Sequence, residues 1–260
     1  MLDSFGDHRI TLMQSTQTIS AALNFQRAFS YEYSAPYLVV FHDDDTMHPR
    51  LLEEHIRVLD SYPQMVFVGS LLNFVKQAAL MNVFNALGEC ALFKADDQAA
   101  FVRLILKNYN IGFDSIMYRT ALIEKEITPL AERFYKWWDR ILLMRLAAKG
   151  SVGIINEKLV NYRVHPGQDS QKNSSGKIEN LFNLLQEYRK ALPQPLSGKD
   201  KTLFYSSMAD NLILSGMSFS SSLHEYRTFI KQAIAADLFR IKYVGIRGVW
   251  YALKLIRYIF

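Results

Sequence analysis

Apolar positions along the chain recur with two different periods, and the switches between them mark out elements. Residues 9–14 (RITLMQ) read as a short strand, followed by polar Ser15 and Thr16 and by a helix over residues 19–29, with Pro36 beyond it as a stop. Residues 37–42 (YLVVFH) form a continuous β-branched and aromatic run, the pattern of a strand buried on both faces of a parallel sheet. Pro49 opens a second helix, PRLLEEHIRVLD, which Tyr62 and Pro63 close before a third strand, MVFVG. Alternation of this kind predicts an α/β layered, mostly parallel sheet, in which ligands gather at the carboxyl ends of the strands.

The pattern is less regular further on. Residues 70–92 hold short apolar runs and Gly88, and they fit either a hairpin or a helix. Asp96 is placed to cap a helix running to Lys107, and IGFDSIMY reads as a strand with a turn at Asp114 and Ser115. A helix over residues 138–149 meets its stop at Gly150, and two β-like runs follow, SVGII and LVNYRVH. After His165 the chain becomes polar (PGQDSQKNSSGK), as in a linker or a mobile active-site loop, and the remainder reads as helices. The expected organisation is an α/β domain over residues 1–172 and a helical C-terminal extension over residues 173–260.

Composition narrows the class. Half of the 260 residues are apolar and about a fifth are charged, enough to bury a large core. The single cysteine, Cys90, excludes an internal disulfide framework and a cysteine-rich zinc site, so a reducing compartment, by default the cytoplasm, is expected. The most apolar stretch, residues 78–93, is interrupted by Asn82, Asn85, Gly88 and Glu89, so no spanning helix is expected, and residues 1–10 do not read as a secretory signal. The net charge of +5 is concentrated towards the end. Residues 239–260 carry Arg240, Lys242, Arg247, Lys254 and Arg257 with no acid, among Trp250, Tyr251 and Phe260. Such a stretch suits an anionic membrane surface or, slightly preferred, a helix packed on the rest of the protein. No nucleic-acid motif accompanies the charge.

The sharpest chemistry lies in His42, Asp43, Asp44 and Asp45, at the end of one strand and just before a helix. Adjacent carboxylates repel, and holding them together at a strand end is costly unless a cation offsets their charge. Carboxylate oxygens suit Mg²⁺ or Mn²⁺, which in turn binds a diphosphate. The plainer role is an acidic loop at a helix N-terminus, where Asp is favourable without any metal; chemistry alone leaves both open. Asp139 by itself is an ordinary helix cap. Tyr162, Arg163 and His165 offer a cation for a phosphate and an imidazole for a metal shell, or simply a structural ion pair and a surface histidine. His48 and His55 read as exposed, and Trp137 and Trp138 as core or as a sugar-stacking platform.

The segment YLVVFHDDDTMHPRLLEEHIRVLDSYPQMVFVG resembles glycosyltransferase family 2, of the GT-A type, where a strand ends in a DxD-type motif followed by a proline and a helix. Counted back from Pro49, His42 stands at the family's first aspartate, and Asp44 and Asp45 at its last two. NIGFDSIMYR resembles the acceptor-side segment, which ends in an aromatic residue and arginine. WWDRILLMRLAAKGSVGIINEKLVNYRVHPGQDS resembles the Glu-Asp helix, its glycine stop and the closing Tyr-Arg-x-His. Trp138 replaces the glutamate of that pair.

The resemblance covers residues 9–170. It implies a Rossmann-like GT-A fold and an inverting glycosyltransferase with Asp139 as catalytic base. Asp44, Asp45 and His165 would serve the metal, Mg²⁺ or Mn²⁺, and His42, Asp43 and Arg163 the nucleotide side. The donor would be a nucleotide-sugar, UDP being the first guess at its nucleotide, and the acceptor a glycan or lipid-linked hydroxyl in polysaccharide biosynthesis. The family's first strands, which bind the base and ribose, have no counterpart here, so an N-terminally truncated and poorly soluble chain is expected. Two alternatives are a non-catalytic glycan- or lipid-binding relative and a metal-dependent phosphohydrolase using His42, the aspartates and His48.

Overall fold

A computed structural model describes residues 6–88, 90–109, 111–123, 128–134, 137–166, 168, 178–210, 212, 216, 220 and 222–243. The elements are α1 (Ala21–Ser30), β1 (Tyr37–Val39), β2 (Thr46–Met47), α2 (Leu51–Ser61), β3 (Met65–Val75), β4 (Leu92–Ala95), α3 (Gln98–Leu106), β5 (Ile111–Arg119), α4 (Thr128–Phe134), α5 (Trp138–Ala147), β6 (Ser151–Arg163), α6 (Ile178–Ala191), α7 (Gly198–Asp210) and α8 (Leu223–Ala235). The strands form one sheet in the order β1-β5-β3-β6-β2, with β4 also paired to β6.

The protein is therefore α/β, but its sheet is mixed rather than mostly parallel. Among the described residues only β3 and β6 run parallel; β1 with β5, β3 with β5, β2 with β6 and β4 with β6 are antiparallel. Apolar runs cannot tell the two cases apart, because a strand covered on both faces reads the same in either direction. Here the cover is real. Met117 of β5 faces a cluster with Leu51, Val58 and Leu59 of α2, whereas its neighbours Ile116 and Tyr118 face the opposite cluster, built with α3, α5, α6 and α7. Alternate side chains of a strand point to opposite faces, so MVFV and the IMY that follows Ser115 are apolar throughout.

Several sequence expectations are corrected. Residues 9–14 are not a strand, and β1 is a three-residue, half-buried edge strand rather than a fully buried one. Asp114 and Ser115 form no turn; they lie inside continuous β5. SVGII and LVNYR belong to one thirteen-residue strand, β6. Asp97, not Asp96, caps α3, accepting from the Ala100 N–H at 2.7 Å. Residues 70–75 extend β3, and a 3₁₀ turn follows at Ala78–Leu80.

Two contacts fix how α2 and α5 join the sheet. The Arg119 guanidinium, at the end of β5, donates to the carbonyls of Leu59 and Met65 at 2.6 Å and of Tyr62 at 3.2 Å, closing the C-terminus of α2 where its last carbonyls lack partners. Gly150, after α5, comes so close to β3 that a Cβ there would lie 2.7 Å from the Gln64 carbonyl oxygen. The C-terminal helices share the larger core: Leu181, Leu184 and Leu185 of α6 and Phe204 of α7 pack in one cluster with Phe67, Phe101 and Leu142. Arg103 of α3 bonds both oxygens of Asp200 of α7 at 2.8 and 2.9 Å. No described helix is long and apolar enough to cross a membrane. The basic stretch from residue 244 onward and the proposed boundary at Lys172 lie outside the described residues.

Candidate metal centre

β1 ends at Val39, and the chain turns through His42, Asp43, Asp44 and Asp45 before β2 pairs with the far part of β6. The loop is thus held at both ends by strands on opposite sides of the sheet. Two further contacts fasten it. The Arg163 N–H at the end of β6 donates to Asp45 Oδ1 at 2.7 Å, and Nε2 of His165, two residues on, lies 3.1 Å from Asp44 Oδ2. His165 is itself held, since its N–H donates to Gln168 Oε1 at 2.8 Å while Gln168 Nε2 donates to the Tyr162 hydroxyl at 2.9 Å.

Within this loop one donor atom each from His42, Asp44 and Asp45 lies within 4.8 Å of the others. Asp45 is buried, and its Oδ2, 3.4 Å from His42 Nδ1, has no hydrogen-bond partner among the described residues. A buried, unpaired carboxylate oxygen beside an imidazole and a second carboxylate is a donor set that fits a divalent cation. Asp43 is exposed and outside the group. Arg163 is exposed and meets the group through its backbone N–H.

Asp114 lies on β5, where the pairing with β3 jumps from Ile116 to Ile111, and it is close enough for the charges of Asp45 and His42 to act on it. Asp114 is fully buried, and neither carboxylate oxygen has a partner among the described residues. Burial first, and then the charge of Asp45 against it, push its carboxyl up to about 7, with His42 opposing. For His42 burial is the largest influence and lowers its pKa, but the pairing with Asp45 and the charges of Asp114 and Asp44 outweigh it and the net shift is upward.

Asp139 approaches from α5, next to Trp138, whose ring shares Phe25 with His42. It sits in the first turn of that helix, its Oδ1 accepting from the Arg140 N–H at 2.8 Å, while Trp137 holds the N-cap position. Burial raises its pKa, with Arg140 and, more weakly, His42 pulling it down. Buried Tyr118, whose hydroxyl is unpartnered among the described residues, feels both Asp139 and Asp114. Phe25 of α1 covers the site, with ring centroids 5.9 Å from His42, 5.3 Å from Trp138 and 5.0 Å from Phe113. Trp138, buried in that aromatic group, is core and not a platform open to a sugar.

Of the residues expected to serve a metal, Asp44 and Asp45 lie in the group and His165 only touches Asp44; His42, expected on the nucleotide side, takes the third place, Asp139 feels His42 at a distance, and Arg163 meets Asp45 through its backbone. The histidines read as exposed do not belong to the group and are not exposed. His48 is buried, with Nδ1 accepting from the Arg50 N–H at 3.0 Å and its ring 5.3 Å from that of Phe84. His55 is fully inside, its Nδ1 2.7 Å from the Leu51 carbonyl oxygen, and burial lowers its pKa to about 4. Asp114 was missed as a site residue because an aspartate amid IGFDSIMY suggests a turn; the overlooked signal is that a charge within a strand buried on both faces calls for a partner. Compared with known proteins, the chain matches no family model and no curated sequence.

Proposed function

We propose that this protein is a nucleotide-sugar-dependent glycosyltransferase of the GT-A kind, acting on a glycan or lipid-linked hydroxyl. The observation that carries the reading is the His42, Asp44 and Asp45 group at the end of β1, within electrostatic reach of the carboxylate of Asp139 on a separate element. A transferase of this type needs those two parts side by side: a cation site for the leaving diphosphate and a base for the attacking hydroxyl.

Asp44, Asp45 and His42 would hold Mg²⁺ or Mn²⁺, and the presence of imidazole nitrogen favours Mn²⁺ within that pair. The ion supplies Lewis-acid stabilisation of the departing diphosphate. The chain's own groups do the rest. Asp139 accepts the proton of the acceptor hydroxyl, whose oxygen forms the new bond to the anomeric carbon as the bond from that carbon to the phosphate oxygen breaks; the nucleoside diphosphate leaves with the electron pair. A raised pKa suits a base working near neutrality, because it binds the proton more firmly than an exposed carboxylate would. Arg163, exposed and bonded to Asp45 through its backbone N–H, would offer its guanidinium to a phosphate, and His165 holds Asp44 in place. Attack from the face opposite the leaving group inverts the anomeric centre, the outcome expected from the resemblance to family 2.

The test is a calorimetric titration of the full chain with UDP, with and without Mn²⁺, beside Asp44→Ala. The reading expects Mn²⁺-dependent UDP binding that weakens by roughly tenfold or more in the variant. Folded wild-type protein that binds no UDP with Mn²⁺ present would count against it.

A further inference from the structure

The parallel pair β3 and β6 carries the sheet past the helix that covers it. Leu72 lies opposite Val160 and Phe74 opposite Tyr162 in an unbroken stretch of their pairing. Residues two apart on a strand share a face, so Phe74 and Tyr162 continue the face on which Leu72 and Val160 pack with Leu51, Val58 and Leu59. The cover stops short of Phe74, which is 62% exposed, more than any other large apolar side chain among the described residues. A lone surface phenylalanine is ordinary, but this ring is held. The Tyr162 ring meets it edge to face, with centroids 5.5 Å apart and planes at 68°, a geometry that aromatic pairs favour.

Tyr162 also joins the pair to the candidate metal centre. Its hydroxyl accepts from Gln168 Nε2 at 2.9 Å, Gln168 Oε1 accepts from the His165 N–H at 2.8 Å, and His165 Nε2 lies 3.1 Å from Asp44 Oδ2. Gln168, the middle link, is buried. The next residue along β6, Arg163, donates its N–H to Asp45 at 2.7 Å. An open aromatic ring is thus fixed on the strand that also fastens Asp44 and Asp45.

We propose that Phe74, braced by Tyr162, is the platform on which the acceptor sugar stacks. The proposal rests on the transferase reading and supplies what that reading leaves open, the contact that holds an uncharged acceptor. The cation and Arg163 would grip the donor through its diphosphate, but an acceptor hydroxyl carries no charge for them to hold. Binding energy for that second substrate has to come from another surface. One side of a pyranose presents C–H groups, which pack on the electron-rich face of an aromatic ring while the hydroxyls stay in water. Phe74 offers such a ring at the surface, whereas Trp138 is enclosed.

The experiment titrates the full chain, with Mn²⁺ and UDP present, with the methyl β-glycosides of glucose, galactose and N-acetylglucosamine, followed by saturation-transfer NMR. Wild type is expected to bind at least one of the three. Phe74→Ala should bind it about threefold or more weakly and Phe74→Tyr as wild type does, with the same UDP affinity in all three proteins. Thermal melts establish that each variant folds, and Phe74→Leu, which keeps apolar bulk without the ring, takes the place of Phe74→Ala if that variant melts early. No glycoside binding by wild type, a smaller loss in Phe74→Ala or its substitute, or a similar loss in Phe74→Tyr overturns the proposal. So does weaker UDP binding without the ring, which would put the nucleobase on Phe74. The two readings separate cleanly. Glycoside binding that needs Phe74, in a protein that never binds UDP, keeps the platform and removes the transferase; UDP binding with Mn²⁺, beside glycoside binding that ignores Phe74, does the reverse.

Discussion

His55 and Asp114 are both fully buried ionisable residues, and burial moves them to opposite sides of their usual ranges. His55 is neutral inside the protein, with its pKa lowered to about 4. Between that value and the ordinary histidine pKa of about 6.5 the unfolded chain binds a proton that the folded one does not. The contribution of His55 is therefore present above about pH 6.5 and is lost as the pH falls towards 4, to a total of roughly 3 kcal/mol. Asp114 acts with the opposite sign: its raised pKa stabilises the fold at low pH, and that contribution is lost as the pH climbs from about 4 towards 7. Denaturation curves of wild type and His55→Gln from pH 7.5 to 4.5, taken in chelator, isolate the first effect because the second is common to both. The variant should lose less stability on acidification than wild type; parallel curves would mean that His55 is protonated in the folded state. Both residues carry an overlooked sequence signal: His55 stands four residues from Leu51 and from Leu59, on the apolar face of α2, and Asp114 sits in an apolar strand run.

The elements themselves were more legible than their lengths. The apolar cores of α2, β3, α5 and β6 stand out in the sequence, but β6 appeared as two runs separated by Asn156, Glu157 and Lys158. The structure explains the break: the register with β3 jumps from Ile155 opposite Ser70 to Lys158 opposite Leu71, and the bulged residues turn outward while the Asn156 N–H bonds the Ala91 carbonyl at 2.9 Å. Polar residues in a bulge look like a loop when only periodicity is read. Arg119 illustrates the same limit. It ends the segment that resembles an acceptor side, and its guanidinium is spent on three carbonyls at the junction of α2 and β3. Arg119→Met should therefore cost about 3 kcal/mol in urea unfolding, since charged hydrogen bonds are lost and carbonyls are left unpaired. A loss below about 0.5 kcal/mol would show that water replaces those bonds freely. Gly150→Ala tests the neighbouring junction. Its new Cβ would press on the Gln64 carbonyl, which is backbone and yields little, so destabilisation of about 1–3 kcal/mol is expected in the same assay.

At the scale of the whole molecule, one core joins the sheet to the helices beyond residue 178. Leu185 of α6 is fully buried in the cluster that also holds Phe67 of β3 and Leu142 of α5, and the Arg103–Asp200 pair ties α3 to α7. Leu185→Ala should lower stability by about 2–5 kcal/mol while unfolding remains a single transition for helix and tryptophan signals alike. Separate transitions would mean that the C-terminal helices fold independently. The same packing sets the site. α5 brings Asp139, β1 brings His42 and its aspartates, β5 brings Asp114, and the end of β6 brings Arg163 and His165. The aspartate run and the Tyr-Arg-x-His segment could be picked out from the sequence, but their meeting depends on β6 lying between β3 and β2, which no local pattern encodes. The most direct measurement of the proposed function is release of UDP from a panel of UDP-sugars with Mn²⁺, by wild type and Asp139→Asn. With water as a slow acceptor, wild type should release UDP at a measurable rate, and Asp139→Asn should be slower by about a hundredfold or more with unchanged UDP affinity. Equal rates in the two proteins, or no release from any donor by a wild-type chain that binds UDP, would contradict a transferase with Asp139 as its base.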